Sequence, residues 1–299
     1  MISNAARYLA IDGGGTKTAF LLADEKGNPI KQLTLGASNP NDVGMKQAKD
    51  ILNEGIRSVC EGYSPEDIVL YAGIAGARTG NNKELFMDFL HEFGFKRYNC
   101  GSDIDSVIAM GDHPQQIVMI LGTGVIAFAK NGDEVYRVAG WGQLFDGAGS
   151  GYDFGRDAIC AALRAFDGTG PRTILTDLFL RELGEQAADH LAKFYAGGKR
   201  YIAGFCRLVF EAREKGDPVA EEIFHKNIQH VAGILRAAAT KLDRPVAEVL
   251  FTGGLINAQQ RTIIPALEKE LGSAFHLVCA RQMPIDGALR LAQKEAESC

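Results

Sequence analysis

The chain carries one strand-and-glycine pattern twice, and this repetition constrains the fold more than any other feature. The segment IDGGGTKTAFLLADEKGNPIKQL at 11–33 resembles ILGTGVIAFAKNGDEVYRV at 120–138. In each segment an apolar strand reaches glycines, a second strand follows, and a polar turn leads to a third strand. Each copy therefore predicts a hairpin extended by one more strand.

A second pair of similar segments follows in the same order. DIVLYAGIAGA at 67–77 resembles EVLFTGGLINA at 248–258, and amphipathic helical patterns precede them at about 42–61 and about 219–242. Chance similarity between apolar strands is the alternative explanation. Two matching pairs in the same order favour a duplicated α/β domain.

The duplication predicts two α/β domains. We place the first at 1–115, joined by a C-terminal helix at 285–299, and the second at 116–284, with mostly helical sequence inserted at about 152–218. Hydrophobic residues make up 46% of the 299 residues, which supplies a sizeable core. Ligands of such folds bind at strand ends, and a pair of domains predicts a cleft between the halves.

The first glycine stretch, DGGGTKT at 12–18, matches neither of two familiar phosphate-binding loops. A P-loop needs GxxxxGK[ST] leading into a helix, and the dinucleotide fingerprint needs a third glycine where Thr18 stands. The remaining prediction is a hairpin turn whose backbone N–H groups and Thr16 hydroxyl bind an anion. Asp12, at the strand end, is a candidate for a hydrated Mg²⁺. An ordinary glycine-rich hairpin is the alternative.

Two later glycine segments strengthen the prediction of an anion site. GTG at 122–124 is the matching turn of the second copy, and two such turns would clamp a polyphosphate from both sides. TGG at 252–254 lets a strand end approach a flat group such as an adenosine.

Four polar or aromatic residues are candidates for binding or catalysis, each with a structural alternative. Asp103, at the start of a helical pattern, would orient or deprotonate a substrate hydroxyl, or Ser102 and Asp103 would only cap the helix. Trp141 and Asp146, in a glycine-rich loop, suit a polar ligand stacked on a ring, whereas Trp141 alone also suits the core. Asn39 lies among good helix-capping residues.

Charge and cysteine usage narrow the partners. The net charge of −5 gives no basic footprint, so we expect no nucleic-acid partner. We find neither a signal peptide nor an apolar stretch long enough to span a bilayer, and expect no membrane association. Six scattered cysteines without a CxxC pair favour reduced thiols in a cytoplasmic protein. The sequence leaves a homodimer open.

Taken together, these segments resemble the sugar kinase, Hsp70 and actin superfamily. More narrowly, they resemble the BadF/BadG/BcrA/BcrD-type ATPases and the N-acetylglucosamine kinases grouped with them. The resemblance runs through nearly the whole chain, from DGGGTKT and SNP through AGIAGA, SDIDSVIA, LGTG and GSGYDFGRDA to TGG and the terminal PIDGALRLA.

The resemblance implies the actin-like ATPase fold, in which two ribonuclease-H-like domains are hinged about a cleft. It implies the sugar on the side of the first domain, ATP on the side of the second, and Mg²⁺ as a cofactor. It places the catalytic aspartate at Asp103, the metal-side aspartate at Asp12 and sugar contacts at Asn39, Asp103, Trp141 and Asp146. The implied ATP and phosphate ligands are Gly13, Gly14, Gly15, Thr16, Lys17, Gly122, Thr123, Gly124, Gly253 and Gly254.

One departure from the family pattern concerns the sugar. The kinases carry Gly-Asp-Glu-Gly-Ser after the tryptophan, but here Gly147 and Ala148 stand at the Asp and Glu positions, and Asp146 lies one place early. Either the loop shifts so that Asp146 takes the role, or one sugar contact is missing. Val125 also replaces the serine that follows the second glycine turn in the family.

The expected function is ATP-dependent phosphorylation of a hydroxyl of a hexose, of the N-acetylglucosamine or glucosamine type. One alternative is an activator ATPase for a partner reductase; such proteins bridge an iron–sulfur cluster with cysteines, and here Cys100 and Cys160 would have to serve. The other is a catalytically impaired sugar-binding sensor, which the change at Gly147 suggests.

Overall fold

The structure is a computed structural model that describes residues 7–111, 113–184 and 191–297. Its contacts divide the chain into two compact units. Unit 1 comprises Met1–Asp112 and Arg281–Cys299, and unit 2 comprises His113–Ala280.

The first part of unit 1 alternates strands and helices after an opening set of three strands. Its elements are β1 (Arg7–Gly13), β2 (Thr18–Ala23), β3 (Pro29–Leu35), α1 (Pro40–Val43), α2 (Met45–Cys60), β4 (Ile68–Ile74), α3 (Asn82–His91), β5 (Arg97–Gly101) and α4 (Asp103–Ala109). A short 3₁₀ turn at Pro65–Asp67 leads into β4.

Unit 2 begins with the same kind of strand set and then becomes largely helical. Its elements are β6 (Gln115–Leu121), β7 (Val125–Asn131), β8 (Glu134–Ala139), α5 (Gly151–Phe166), α6 (Ile174–Leu183), α7 (Leu191–Ala203), α8 (Cys206–Glu214), α9 (Pro218–Ala239), β9 (Ala247–Thr252), α10 (Gly254–Leu271) and β10 (Phe275–Cys279). The chain then returns to unit 1 as α11 (Pro284–Glu297).

The two sheets have the same topology, which confirms the duplication predicted from the sequence. Unit 1 has the strand order β3-β2-β1-β4-β5, and the sheet of unit 2 runs β8-β7-β6-β9-β10. In both, the first three strands are antiparallel and the last two are parallel to the central one. The fold is therefore α/β, with two ribonuclease-H-like sheets of the actin-like ATPase type.

Alternation along β1 explains why its sheet is covered on both faces. Leu9 and Ile11 point to one face and pack in a core with residues of α2, including Leu52 and Ile56. Ala10 points to the other face, where it packs against small residues of α11. Because a strand buried on both faces lacks a polar side, it reads as a continuous apolar run in the sequence.

A cluster of aromatic rings holds the helices of unit 2 together. Phe154 of α5 contacts Phe210 of α8 and Phe224 of α9, with ring centroids 5.3 and 6.3 Å apart. All three rings are buried, and such contacts add to the free energy gained by area burial. Among the described residues, no helix is long and apolar enough to cross a bilayer.

Substitution of Gly287 tests how closely α11 must approach α4. A Cβ atom added at Gly287 would lie 1.8 Å from the backbone oxygen of Ser106, and backbone cannot move aside as a side chain can. We expect Gly287→Ala to lower the free energy of unfolding by roughly 1–3 kcal/mol, measured by urea denaturation.

Gly233 of α9 supplies the matched control. It is also a helical glycine, but an added Cβ would meet no atom within 4 Å. Gly233→Ala should stabilise the protein by roughly 0.5–1 kcal/mol, because alanine has the higher helix propensity. Equal effects of the two substitutions would contradict the close packing of α11.

Candidate active site

The turn between β1 and β2 is held in place by hydrogen bonds to the segment that follows β3. The N–H of Gly14 donates to the Lys17 carbonyl at 2.9 Å, and the N–H groups of Ser38 and Asn39 donate to the Gly14 carbonyl at 3.1 and 3.3 Å. The buried Thr18 hydroxyl bonds to the Gly36 carbonyl at 2.7 Å. Residues 15–17 form the exposed tip of this turn.

Glycine is required in the turn because neighbouring side chains approach its backbone closely. A Cβ added at Gly13 would lie 2.3 Å from Ser38 Oγ, and one at Gly15 would lie 2.7 Å from Asp42 Oδ2. The first glycine stretch is therefore a packed, preformed turn, as its sequence predicts.

Asp12 lies at the carboxyl end of β1, directly before the turn, and is partly buried. Burial raises the pKa of its carboxyl from 3.8 to about 6, the negative charge of Asp103 adds to this rise, and the Lys17 ammonium opposes it. Asp12 and Asp103 were predicted from separate parts of the sequence. Because the charge of Asp103 acts on the Asp12 carboxyl, the two residues belong to one site.

The start of α4 resolves whether Asp103 is only a helix cap. Ser102 is the cap: its hydroxyl accepts the N–H of Ile104 at 3.2 Å, and the Asp105 carboxylate accepts the N–H of Ser102 at 2.8 Å. Ser102 Oγ also donates to Asp103 Oδ1 at 2.9 Å. Asp103 therefore stands at the first helical position with its carboxylate oriented by a hydroxyl and not used for capping.

Asn39 caps α1, which leaves only part of its amide for a ligand. Its Oδ1 accepts the N–H of Asn41 at 3.1 Å, and its Nδ2 donates to Asp42 Oδ2 at 2.7 Å. These bonds use one of the two lone pairs of the carbonyl oxygen and one of the two amide hydrogens. A sugar contact from Asn39 would use the other lone pair or the second hydrogen.

In unit 2, the β6–β7 turn is docked on the first residues of α5. The Gly122 N–H closes the turn onto the Gly124 carbonyl at 2.9 Å. The N–H groups of Gly151 and Tyr152 donate to the carbonyls of Gly122 and Thr123 at 2.8 and 3.2 Å. The N-terminal end of α5, with its partial positive charge, therefore lies against the turn.

Gly253 and Gly254 lie beside this turn. Gly253 has a φ of 119°, and a Cβ there would lie 2.6 Å from the Leu121 carbonyl oxygen. A Cβ at Gly122 would lie 3.4 Å from the Gly254 nitrogen. The structure thus brings two of the predicted glycine segments together, where α10 begins.

A cavity of about 260 Å³ opens at the β6–β7 turn. Its wall includes Gly122, Thr123, Gly124, Asp146 and Lys199. Gly253 and Gly254 stand behind the turn and do not line the cavity, and Trp141 does not line it either.

The loop after β8 overturns one of the two alternatives offered for it. Trp141 is 68% exposed, so the alternative of a core anchor is wrong, and the Arg137 guanidinium lies over its ring at 3.9 Å. The Asp146 carboxylate turns back to accept the N–H groups of Trp141 and Gly142 at 3.0 and 2.8 Å. Asp146 therefore stabilises its own loop.

Gly147 stands at the position where this loop departs from the family pattern. Its φ is 82°, a conformation that glycine adopts at least cost, and its carbonyl accepts a hydrogen bond from Arg156 at 3.0 Å. Arg156 also pairs with Asp153 and Asp157 at 3.0 and 2.9 Å.

Lys199 is a cavity residue that the sequence analysis missed. It follows Gly198, whose φ of 57° and ψ of −161° break the helical path of α7. The only sequence signal is the glycine pair that precedes the lysine, and no known phosphate motif includes it.

The sequence profile of the BadF/BadG/BcrA/BcrD ATPase family matches residues 9–292. The chain belongs to this family. An N-acetylmuramic acid/N-acetylglucosamine kinase of Clostridium acetobutylicum is 31% identical over 260 residues, covering 83% of this chain and 85% of the relative. An N-acetyl-D-glucosamine kinase of Dictyostelium discoideum is 29% identical over 282 residues, covering 87% and 88%.

The fold likeness extends to a solved structure. A candidate N-acetylglucosamine kinase from Chromobacterium violaceum superposes with a TM-score of 0.75, at 23% identity, covering 97% of this chain and all of that one. At this identity the likeness concerns the fold, and it agrees with the duplicated sheets described above.

The raised pKa of Asp12 predicts a pH-dependent effect of Asp12→Asn on stability. Between pH 3.8 and about 6 the folded protein binds a proton at Asp12 more tightly than the unfolded chain does, so this carboxyl destabilises the fold as the pH rises through that window. At neutral pH the cost is at most about 3 kcal/mol.

We therefore expect Asp12→Asn, without added metal, to unfold at higher urea concentration than wild type at pH 7.5 and at nearly the same concentration at pH 4. Asp50→Asn, at an exposed position of α2, controls for the substitution itself. A variant less stable than wild type at pH 7.5 would contradict the desolvation of Asp12.

Proposed function

We propose that this protein is an ATP-dependent kinase that transfers the γ-phosphoryl group of ATP to a hydroxyl of an amino sugar, of the N-acetylglucosamine or glucosamine type. The observation that carries the proposal is the pair of carboxylates, Asp12 and Asp103, electrostatically coupled beside a glycine turn. The activities named for the Clostridium and Dictyostelium relatives support the same reaction and the same substrate class.

Asp103 is the proposed catalytic residue. Its carboxylate would accept the proton of the attacking sugar hydroxyl as the new oxygen–phosphorus bond forms and ADP leaves. Phosphoryl transfer depends mainly on positioning and charge stabilisation, so the orientation of the hydroxyl matters as much as the proton transfer. The Ser102 hydroxyl, 2.9 Å from Asp103 Oδ1, would hold the carboxylate in place.

Asp12 is the proposed residue on the metal side. Mg²⁺ takes one or two carboxylates and completes its shell with water and phosphate oxygens, and a partly desolvated carboxylate fits this donor set. When bound, Mg²⁺ neutralises charge on the phosphates of ATP.

The remaining predicted ligands would bind the two substrates. In unit 1 the turn at 13–17, with Lys17, would contact phosphate, and Asn39 would offer its remaining amide hydrogen to the sugar. In unit 2 the turn at 122–124 would contact phosphate, with Gly253 and Gly254 behind it. Trp141 would offer an exposed ring to a sugar, while Asp146 acts by shaping its loop.

Removal of the Asp103 charge tests the catalytic role. Asp103→Asn should lower kcat by at least about 100-fold, as is typical when a general base is lost, while Mg-ATP binding measured by calorimetry is retained. Asp88→Asn, at an exposed position of α3, should turn over normally and serves as the control. Near-wild-type turnover of Asp103→Asn would remove this residue from the role.

The substrate is tested by ADP release over a panel of hexoses, amino sugars and N-acetylated sugars. We expect the highest kcat/KM with an amino or N-acetylamino sugar. A preference for an unmodified hexose would overturn the substrate class while leaving the kinase reaction in place.

A sugar sensor is the second candidate, and the loop at Gly147 favours it. Asp146 is used inside its loop, so it would be less available for the sugar contact that the resemblance implies there. Calorimetric sugar binding with no ADP formed in the presence of Mg-ATP would establish this candidate. The activator ATPase has less support, because Cys100 is fully buried and burial raises its thiol pKa to about 12.

A further inference from the structure

Lys199 places a positive charge in the wall of the cavity at the β6–β7 turn. The same wall contains Gly122, Thr123 and Gly124 of the turn and Ser150, the cap of α5. Lys199 reaches it because α7 is broken at Gly198, so the residues after the break follow a new direction. The side chain is exposed.

The acidic side chains of this cavity already have other partners. Asp146 accepts two backbone N–H groups of its own loop. Asp153 is buried, accepts from Ser150 and is paired with Arg156 at 3.0 Å. Neither carboxylate therefore serves as an ion-pair partner of Lys199.

Within the part of the chain that the structure describes, no carboxylate lies within ion-pair distance of Lys199. Several cations on the helices around it are paired. Arg181, Arg207, Lys215 and Lys226 each form an ion pair, at distances between 2.5 and 3.0 Å. Lys199 is thus a cation of the cavity wall with no ion pair among the described residues.

The chemistry next to Lys199 suits an anion with several oxygens. A glycine turn presents backbone close to the cavity, and the N-terminal end of α5, a helix of 16 residues, lies against that turn. A flexible lysine adds a point charge that phosphate oxygens satisfy well.

We propose that Lys199 binds a phosphate group of the nucleotide, as a phosphate ligand supplied by the helical segment between β8 and α9. The inference rests on the proposed kinase function for the identity of the anion, and it adds a residue that no phosphate motif of the sequence includes.

The test compares Lys199→Ala, Lys199→Arg and wild type by calorimetric titration with three probes: Mg-ATP, inorganic tripolyphosphate and adenosine. Loss of a charge-assisted hydrogen bond should weaken the binding of Mg-ATP and of tripolyphosphate by roughly 10-fold in Lys199→Ala. Lys199→Arg should restore most of the affinity, and adenosine should bind all variants equally. Lys193→Ala changes a lysine on the same helix that does not line the cavity, and it should match wild type.

Two results would overturn the inference. Mg-ATP binding by Lys199→Ala at wild-type affinity would exclude Lys199 as a phosphate ligand. Equal weakening of adenosine and tripolyphosphate would show that the substitution disturbs the cavity as a whole. Because these measurements use binding only, wild-type protein that binds Mg-ATP but phosphorylates no sugar would contradict the proposed function and leave the Lys199 assignment testable.

Discussion

The rest of the site depends on one constraint: at the ends of the strands, backbone segments must lie directly against each other. Gly253 can stand against the carbonyl of Leu121, and Gly151 against that of Gly122, only because neither carries a Cβ. In unit 1 the same absence lets Ser38 and Asp42 close over the first turn. Both turns are held by backbone hydrogen bonds within the chain, and such fixed turns would lower the entropic cost of binding a polyphosphate.

Electrostatics then distinguish the two turns. Beside the first, two carboxylates are coupled, and the proton affinity of Asp12 rises because its charge is costly in a partly buried position. A cation relieves this cost, so the site is arranged to favour a metal ion next to the carboxylate proposed for catalysis. Beside the second turn the carboxylates have internal partners, and within the described residues no ion pair compensates the positive charge of Lys199.

Local sequence signals predicted the sheets because both copies repeat a short-range pattern. Alternation along strands and glycines at strand ends are properties of neighbouring residues, and they led to the predicted duplication, which the two sheets confirm. The sequence did not decide whether Asp103 only caps α4. In the structure Ser102 takes the cap, one of the two options that the sequence offered.

The loop after β8 and the position of Lys199 could not be predicted for a different reason. The direction of the Asp146 carboxylate depends on the backbone angles of a glycine-rich loop, including the positive φ of Gly147. Lys199 enters the cavity because α7 breaks at Gly198, far in sequence from the turn it joins. Neither feature follows from residue type or spacing alone.

The central claim is that a sugar, and not water, receives the phosphoryl group. The most direct test is to incubate the protein with Mg-ATP and N-acetylglucosamine or glucosamine and to identify the products by ³¹P NMR. The account predicts a sugar phosphate formed in equal amount with ADP. Inorganic phosphate with ADP, or no ADP with any amino sugar, would contradict it.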